Sequence, residues 1–227
     1  MKALVLFSGG IDSTTALALA INKYGKDRVI ALSVSYGQKH DKEIQAAIAV
    51  AEYYGVEHLF LDLRKIFTYS NCSLLKRSTE KIPEESYAKQ ISKTNGETPV
   101  STYVPFRNGL FLSSAASIAL SKDCEVIYYG AHADDSAGFA YPDCSPVFNR
   151  AMNEAIWEGS GHQLKIEAPF VNVSKAEVVR IGLELNVPYE LTWSCYEGGE
   201  KPCGKCGTCI DRAAAFQANH VEDPALQ

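Results

Sequence analysis

Short apolar runs alternate with helical stripes along most of this chain, and that alternation constrains its fold more than any other feature. Leu4–Phe7 reads as a buried strand, and Leu17, Ala20, Ile21 and Tyr24 then fall at the spacing of one helical face. Val29–Val34 and His58–Leu61 repeat the strand pattern, with the stripe Ile44, Ala47, Ile48 and Ala51 between them. Residues 70–101 break the rhythm: they are polar, hold Pro83 and Pro99, and read as a loop or flap. The alternation resumes with a helix over Arg107–Ser121, a strand at Val126–Tyr129, a helix over Phe148–Trp157 and a short strand near Ile166. Val178, Ile181, Gly182 and Leu185 make the next stripe, opened by Ser174-Lys175-Ala176-Glu177 at capping-box spacing and ended by Pro188. Ile210–Asn219 reads as a closing helix. Such alternation implies right-handed crossovers and a parallel sheet covered on both faces. Ligands of such sheets bind beyond the carboxyl ends of the strands, so site residues belong in segments just after strands.

Composition narrows the partners. Lys and Arg number 22 against 27 Asp and Glu, a net charge of −5, which disfavours a direct nucleic-acid binder. No apolar run approaches the length of a bilayer span, and the first residues lack a secretory pattern, so a cytoplasmic protein is expected.

Ser8-Gly9-Gly10-Ile11-Asp12-Ser13-Thr14-Thr15 follows the first strand and opens the first helix. Two glycines let the backbone turn sharply and approach a ligand, and a helix start offers free N–H groups and partial positive charge. With the hydroxyls of Ser8, Ser13 and Thr14, this is an anion cradle suited to phosphate. It is neither a Walker loop nor a Gly-x-Gly-x-x-Gly turn. A plain Gly-Gly turn capped by Ser13 is the blander reading. The motif resembles the pyrophosphate loop of the N-type ATP pyrophosphatases, which cleave ATP between the α and β phosphates.

Three further segments carry candidates. After the second strand, Tyr36 and the backbone near Val34 suit an adenine, or form a plain turn. Arg107 is a phosphate clamp by the fork of its guanidinium, and Asn108 reaches a phosphate or ribose; otherwise they are a surface arginine and a helix cap. Gly130–Cys144 carries His132, Asp134, Asp135, Phe139, Tyr141 and Asp143. Aromatic faces and a carboxylate there suit a guanine-type heterocycle, the three aspartates could alternatively hold Mg²⁺, and a solvated acidic loop is the blander reading.

The seven cysteines stand at 72, 124, 144, 195, 203, 206 and 209. Cys195-x7-Cys203-x2-Cys206-x2-Cys209 offers four thiolates for one tetrahedral zinc and no open position, hence a structural site. Lys201, Lys205 and Arg212 are near enough in sequence to offset its charge. An iron–sulfur cluster is the competing reading, without the Cys-Pro of ferredoxins. Cys72, Cys124 and Cys144 read as ordinary thiols, with Cys144 closing the acidic loop.

Together these stretches resemble the 7-cyano-7-deazaguanine synthase family of the queuosine precursor pathway. The likeness runs through Phe7–Thr15, Ser101–Asn108, Gly130–Cys144, Ala168-Pro169-Phe170, Ser174–Glu177 and Val187–Arg212; the Tyr-Pro-Asp-Cys loop and the cysteine spacing are its most restrictive parts. Residues 134–140 make a long spacer before Tyr141. The resemblance implies a Rossmann-like three-layer α/β sandwich of the adenine nucleotide α hydrolase type. Residues 1–190 would bind nucleotide and substrate, and residues 191–227 would pack on them as the zinc segment. It implies an ATP-dependent ligase that converts 7-carboxy-7-deazaguanine and ammonia to the nitrile through adenylated acid and amide intermediates. ATP would come with Mg²⁺, and the protein would be a homodimer. Ser8, Gly9, Gly10, Asp12, Ser13 and Thr14 would hold the pyrophosphate end, with Tyr36, Arg107 and Asn108 on the nucleotide. Asp12 and Arg107 would be catalytic, and His132, Tyr141 and Asp143 would line the deazaguanine side. No covalent nucleophile is evident and no general base is assigned, so catalysis rests on positioning and charge neutralisation.

Two other enzyme readings share the loop: a relative that stops at the amide or attaches the deazaguanine elsewhere, and one that adenylates a tRNA base. The acidic charge disfavours the second. A non-catalytic nucleotide-binding or zinc-ribbon module is disfavoured by an intact Asp12 and Arg107.

Overall fold

A computed structural model describes residues 1–93, 95 and 98–226. Five parallel strands lie in the order β3-β2-β1-β4-β5. They are β1 (Ala3–Leu6), β2 (Val29–Ser35), β3 (Glu57–Asp62), β4 (Val126–Tyr128) and β5 (Lys165–Glu167). The helices are α1 (Ile11–Tyr24), α2 (Lys42–Tyr54), α3 (Tyr87–Lys93), α4 (Arg107–Ser121), α5 (Ala133–Ser136), α6 (Pro146–Gly159), α7 (Lys175–Glu184) and α8 (Gly207–Ala218).

Alternation along β1 divides the interior into two layers. Ala3 and Val5 face one core with Leu17 of α1, Val50 of α2, Val178 of α7 and Phe216 of α8. Leu4 faces the other, with Leu112 of α4 and Ile156 of α6. The first two crossovers lie on one side and the next on the other, so the winding reverses between β1 and β4. A ligand crevice belongs at that reversal, outside the carboxyl ends of these two strands.

The expected strands and stripes form within about three residues, with three differences. On α2, Ile48 is exposed, and the buried face is Ala46, Ala47, Val50 and Ala51. Small residues let the helix lie close to its neighbours, whereas the apolar periodicity centred the stripe on the larger side chains. The helix expected at Phe148 starts at Pro146, whose fixed φ suits a first helical position, with Ser145 Oγ accepting from Phe148 N–H at 3.1 Å. Segment 70–101 contains α3 and packs Cys72, Leu74, Leu75 and Ile82 into a third apolar cluster, shared with Cys195, Cys206 and Cys209; residues 94, 96 and 97 lie outside the described residues. Among the described residues no helix is long and apolar enough to cross a membrane.

Gly182 marks the tightest contact between α7 and the rest of the core. A Cβ there would collide with the hydroxyl of Tyr189, which is fully buried and lies 2.8 Å from Thr15 Oγ1. Gly182→Ala is expected to lower unfolding free energy by about 1–3 kcal/mol, the usual cost of overpacking. Urea denaturation checks this, and an unchanged midpoint would show that Tyr189 can move aside.

Candidate active site

The loops after β1 and β4 open into one cleft, lined by Ser8, Asp12 and Ser13 from the first and by Gly130, His132 and Asp135 from the second.

The loop after β1 is held open by its own hydroxyls. Ser13 Oγ accepts from Ser8 N–H at 3.1 Å, and the two serine hydroxyls lie 3.0 Å apart. Gly9 has a φ of 79°, and a Cβ on it would lie 2.5 Å from Ala47 N and 2.8 Å from Glu43 O. Only glycine lets the loop pass this close to α2. Trp193 N–H donates to Gly9 O at 3.0 Å, fixing the loop from the far side. Gly10 then caps α1 with no side-chain acceptor of its own, leaving the first N–H groups of α1 directed at the cleft.

The two loops meet at Asp12. A Cβ on Gly130 would lie 2.9 Å from the Asp12 carbonyl carbon, so glycine is what lets them touch. Lys175 Nζ donates to Asp12 Oδ2 at 2.6 Å, and His132 Nε2 lies 3.8 Å from Asp12 Oδ1 and 3.3 Å from Asp135 Oδ1. Burial would raise the Asp12 carboxyl, but the charges of Lys175 and His132 outweigh it and hold the group below its ordinary value. Burial likewise works against the Lys175 ammonium, and Asp12 with Asp135 overcomes it and raises that pKa. The pair is therefore ionised. Asp12 Oδ1 and His132 Nδ1 are buried and accept or donate no hydrogen bond among the described residues.

Arg107 opens α4. Its guanidinium carbon lies 5.2 Å from the Tyr36 ring centroid, and Nη1 donates to the Tyr36 hydroxyl at 3.3 Å. No described carboxylate lies within 4.0 Å of it. Burial lowers its pKa, but the surrounding Tyr36 and Asp143 more than reverse that, so it stays charged. Asn108 beside it donates its backbone N–H to Asp143 Oδ2 at 2.8 Å and its amide to Cys144 Sγ at 3.1 Å.

The expected site residues thus sort by depth. Ser8, Gly10, Asp12, Ser13, Tyr36 and Arg107 line the cleft, as do Asn108 and His132. Gly9 and the fully buried Thr14 stand behind the loop. Tyr141 and Asp143 lie behind the wall: Tyr141 hydroxyl is 2.6 Å from Thr102 Oγ1, and Asp143 is spent on the start of α4. The carboxylate of that loop that does face the cleft is Asp135.

Sequence reasoning missed Lys175, Glu43, Asp211 and Tyr87, all lining the cleft. Lys175 was hidden inside the capping-box pattern. Ser174 Oγ does accept from Glu177 N–H at 3.3 Å, but the Glu177 carboxylate turns to Arg180, so only half of that box forms. Burial pushes Glu43 up to about 7 against the pull of Arg107, and Asp211 up to about 6 against Lys175 and His132.

The four clustered cysteines converge, with all Sγ atoms within 4.8 Å of one another. Backbone N–H groups of Glu197 and Cys203 donate to Cys195 Sγ at 3.4 and 3.3 Å, and those of Lys205 and Cys206 to Cys203 Sγ at 3.4 Å each. Four sulfurs with N–H groups aimed at them fit a metal that favours thiolates. Arg212 takes no part in offsetting their charge: it is buried and pairs with Asp223 at 2.5 Å.

The family model described as queuosine biosynthesis protein QueC matches residues 2–220. The 7-cyano-7-deazaguanine synthase of Archaeoglobus fulgidus is 42% identical over 227 residues, covering 100% of this chain and 90% of that protein. That of Caldicellulosiruptor saccharolyticus is 42% identical over 224 residues, 99% of this chain and 94% of the other. Among solved structures, NMN synthetase from Francisella tularensis superposes with a TM-score of 0.53 at 17% identity, covering 97% of this chain and 78% of its own. The U34-tRNA thiolase NcsA from Methanococcus maripaludis, solved with its [4Fe-4S] cluster, gives 0.51 at 18%, covering 97% and 67%. At such identities these two show the fold alone.

Proposed function

The chain belongs to the QueC family, and we propose that it is an ATP-dependent 7-cyano-7-deazaguanine synthase acting in queuosine precursor biosynthesis. The observation that carries this reading is one cleft shared by an anion cradle and a second ligand wall, with the Lys175–Asp12 pair at their seam. Ammonia cannot displace oxide from a carboxylate. The acceptor carboxylate oxygen first attacks the α-phosphorus of ATP, and pyrophosphate leaves. Ammonia then adds to the acyl carbon, AMP leaves with the original oxygen, and the amide remains. The amide oxygen attacks a second ATP in the same way. Loss of AMP together with the nitrogen's protons leaves the nitrile.

Each step needs charge held in place more than it needs a covalent nucleophile. Ser8, Gly10 and Ser13 form the cradle for the departing pyrophosphate, with Gly9 and Thr14 shaping it from behind, and Asp12 fixes Lys175 beside it. Mg²⁺ accompanies the ATP phosphates. Arg107, stacked by Tyr36, neutralises charge at the α-phosphate, with Asn108 next to it. His132 and Asp135 border the deazapurine. Asp143 acts through Asn108, and Tyr141 through Thr102. We assign zinc to Cys195, Cys203, Cys206 and Cys209; four thiolates leave it no open position, so it holds the fold. Residues 1–190 form the catalytic body and 191–227 the metal segment, in a reducing cytoplasm that keeps the thiols free.

Incubated with ATP, Mg²⁺, ammonium and 7-carboxy-7-deazaguanine, the protein is expected to give AMP and nitrile in a two-to-one ratio by mass spectrometry. Accumulation of amide with equimolar AMP would reassign it to the shorter reaction, and AMP formation absent with this acceptor would overturn the substrate.

A further inference from the structure

Helix α3 is wedged between two parts of the site that are far apart in sequence. On one side is the cysteine knuckle. The Tyr87 hydroxyl lies 2.7 Å from that of Tyr196, which follows Cys195 directly. A Cβ on Gly207, the residue after Cys206, would lie 3.0 Å from the Tyr87 ring. Lys205 Nζ, between two of the cysteines, lies 3.9 Å from Glu84 just before the helix. On the other side is the loop after β4. The Tyr87 and Tyr141 rings meet edge to face at 5.6 Å, and a Cβ on Gly138 would collide with Ile91. Tyr87 itself faces the cleft, as does Tyr196.

We propose that Tyr87 is a positioning residue for the acceptor, held in the cleft wall by the cysteine knuckle through Tyr196. This rests on the synthase reading for the identity of the acceptor and for the side of the cleft that takes it. The argument is one of placement. The nucleotide side of the cleft, from Ser8 to Tyr36, is built on β1, β2 and α1. The loop that α3 braces is the one after β4, on the acceptor side. The metal segment therefore reaches the acceptor side through this hydroxyl pair, in addition to the Trp193 N–H on Gly9 O and Asp211 in the cleft wall.

Tyr87→Phe, Tyr196→Phe and the double variant test this in the metal-loaded protein, because each keeps its ring and removes one end of the same bond. Each single change is expected to raise the KM for 7-carboxy-7-deazaguanine about 3–10-fold, the range of one lost hydrogen bond, with the KM for ATP unmoved. The double variant is expected to be no worse than either single. Hydrogen exchange of residues 87–93 is expected to quicken in all three. Effects that multiply in the double variant, or a KM change confined to ATP, would overturn the proposal. If the wild-type protein makes no AMP with this acceptor, the synthase reading fails by itself. Exchange over residues 87–93 then still decides the tie: quickening upholds it, and no change overturns it.

Discussion

Lys175→Met is expected to lower kcat/KM for AMP formation by about 10²–10³-fold, the scale of removing one preorganised charge donor from a developing anion. The lysine is the cation nearest the seam of the two loops, 2.6 Å from Asp12 and 13% exposed. Its charge is therefore poorly screened by water, which is where a fixed charge acts most strongly on a departing pyrophosphate. Methionine keeps much of the stem and removes the charge. Asp12 then loses the partner that outweighs its burial, and its carboxyl rises toward or beyond the ordinary range. The test is steady-state AMP release with thermal unfolding alongside. Activity within about threefold of wild type would remove Lys175 from the chemistry.

The pH dependence of that loss separates the pair from its neighbours. Asp12 is depressed below its ordinary value of 3.8, so its contribution is present above that pH and fades only as pH falls through the folded value. Lys175 is raised above 10.5, so its contribution is complete below that pH and fades as pH rises through the folded value. Between these limits the pair stays ionised, and the Lys175→Met deficit should be flat across neutrality. Titration near neutral pH belongs instead to Glu43, at about 7, and Asp211, at about 6, both held protonated longer by burial. A deficit that itself titrates near pH 6–7 would mean that one of these acids, not the pair, is what Lys175 serves.

The sheet was legible because each strand is a short apolar run bounded by a stripe of different period, and β1 and β2 need no long-range information to be found. The cradle and the cysteine cluster were legible because their residues are adjacent in sequence and folding only has to turn the chain. Lys175 and Glu43 were not, because their places in the cleft arise only across crossovers: Lys175 meets Asp12 from 163 positions away. Nor was α3, whose seven residues YAKQISK carry little apolar periodicity and are fixed by contacts at Gly138, Gly207 and Tyr196. Asp143 is a different case. Its type and its loop suited a ligand, but the folded chain uses it to hold the start of α4.

Arg212 makes the same point with the largest stability effect. Near the cysteines in sequence, it points away from them, with Nε 2.5 Å and Nη2 2.8 Å from the two Asp223 carboxylate oxygens. Its remaining donors go to Thr192 Oγ1, Ser194 Oγ and Tyr189 O. Both partners are about 5% exposed by side chain, so removing the acid strands a guanidinium where water cannot reach it. Asp223→Ala is expected to cost about 3–5 kcal/mol, roughly a fifth or more of the stability of an ordinary domain. The damage should reach the site, because residues 189–194, which Arg212 ties down, include Trp193, whose N–H holds Gly9 O. Replacing both partners, Arg212→Met with Asp223→Leu, should cost less than Asp223→Ala alone, since no charge is then left buried. Guanidinium denaturation of the metal-loaded protein measures all three. A single-variant cost below about 1 kcal/mol, or a double variant worse than the single, would show that the hydroxyls and the Tyr189 carbonyl suffice to hold the charge.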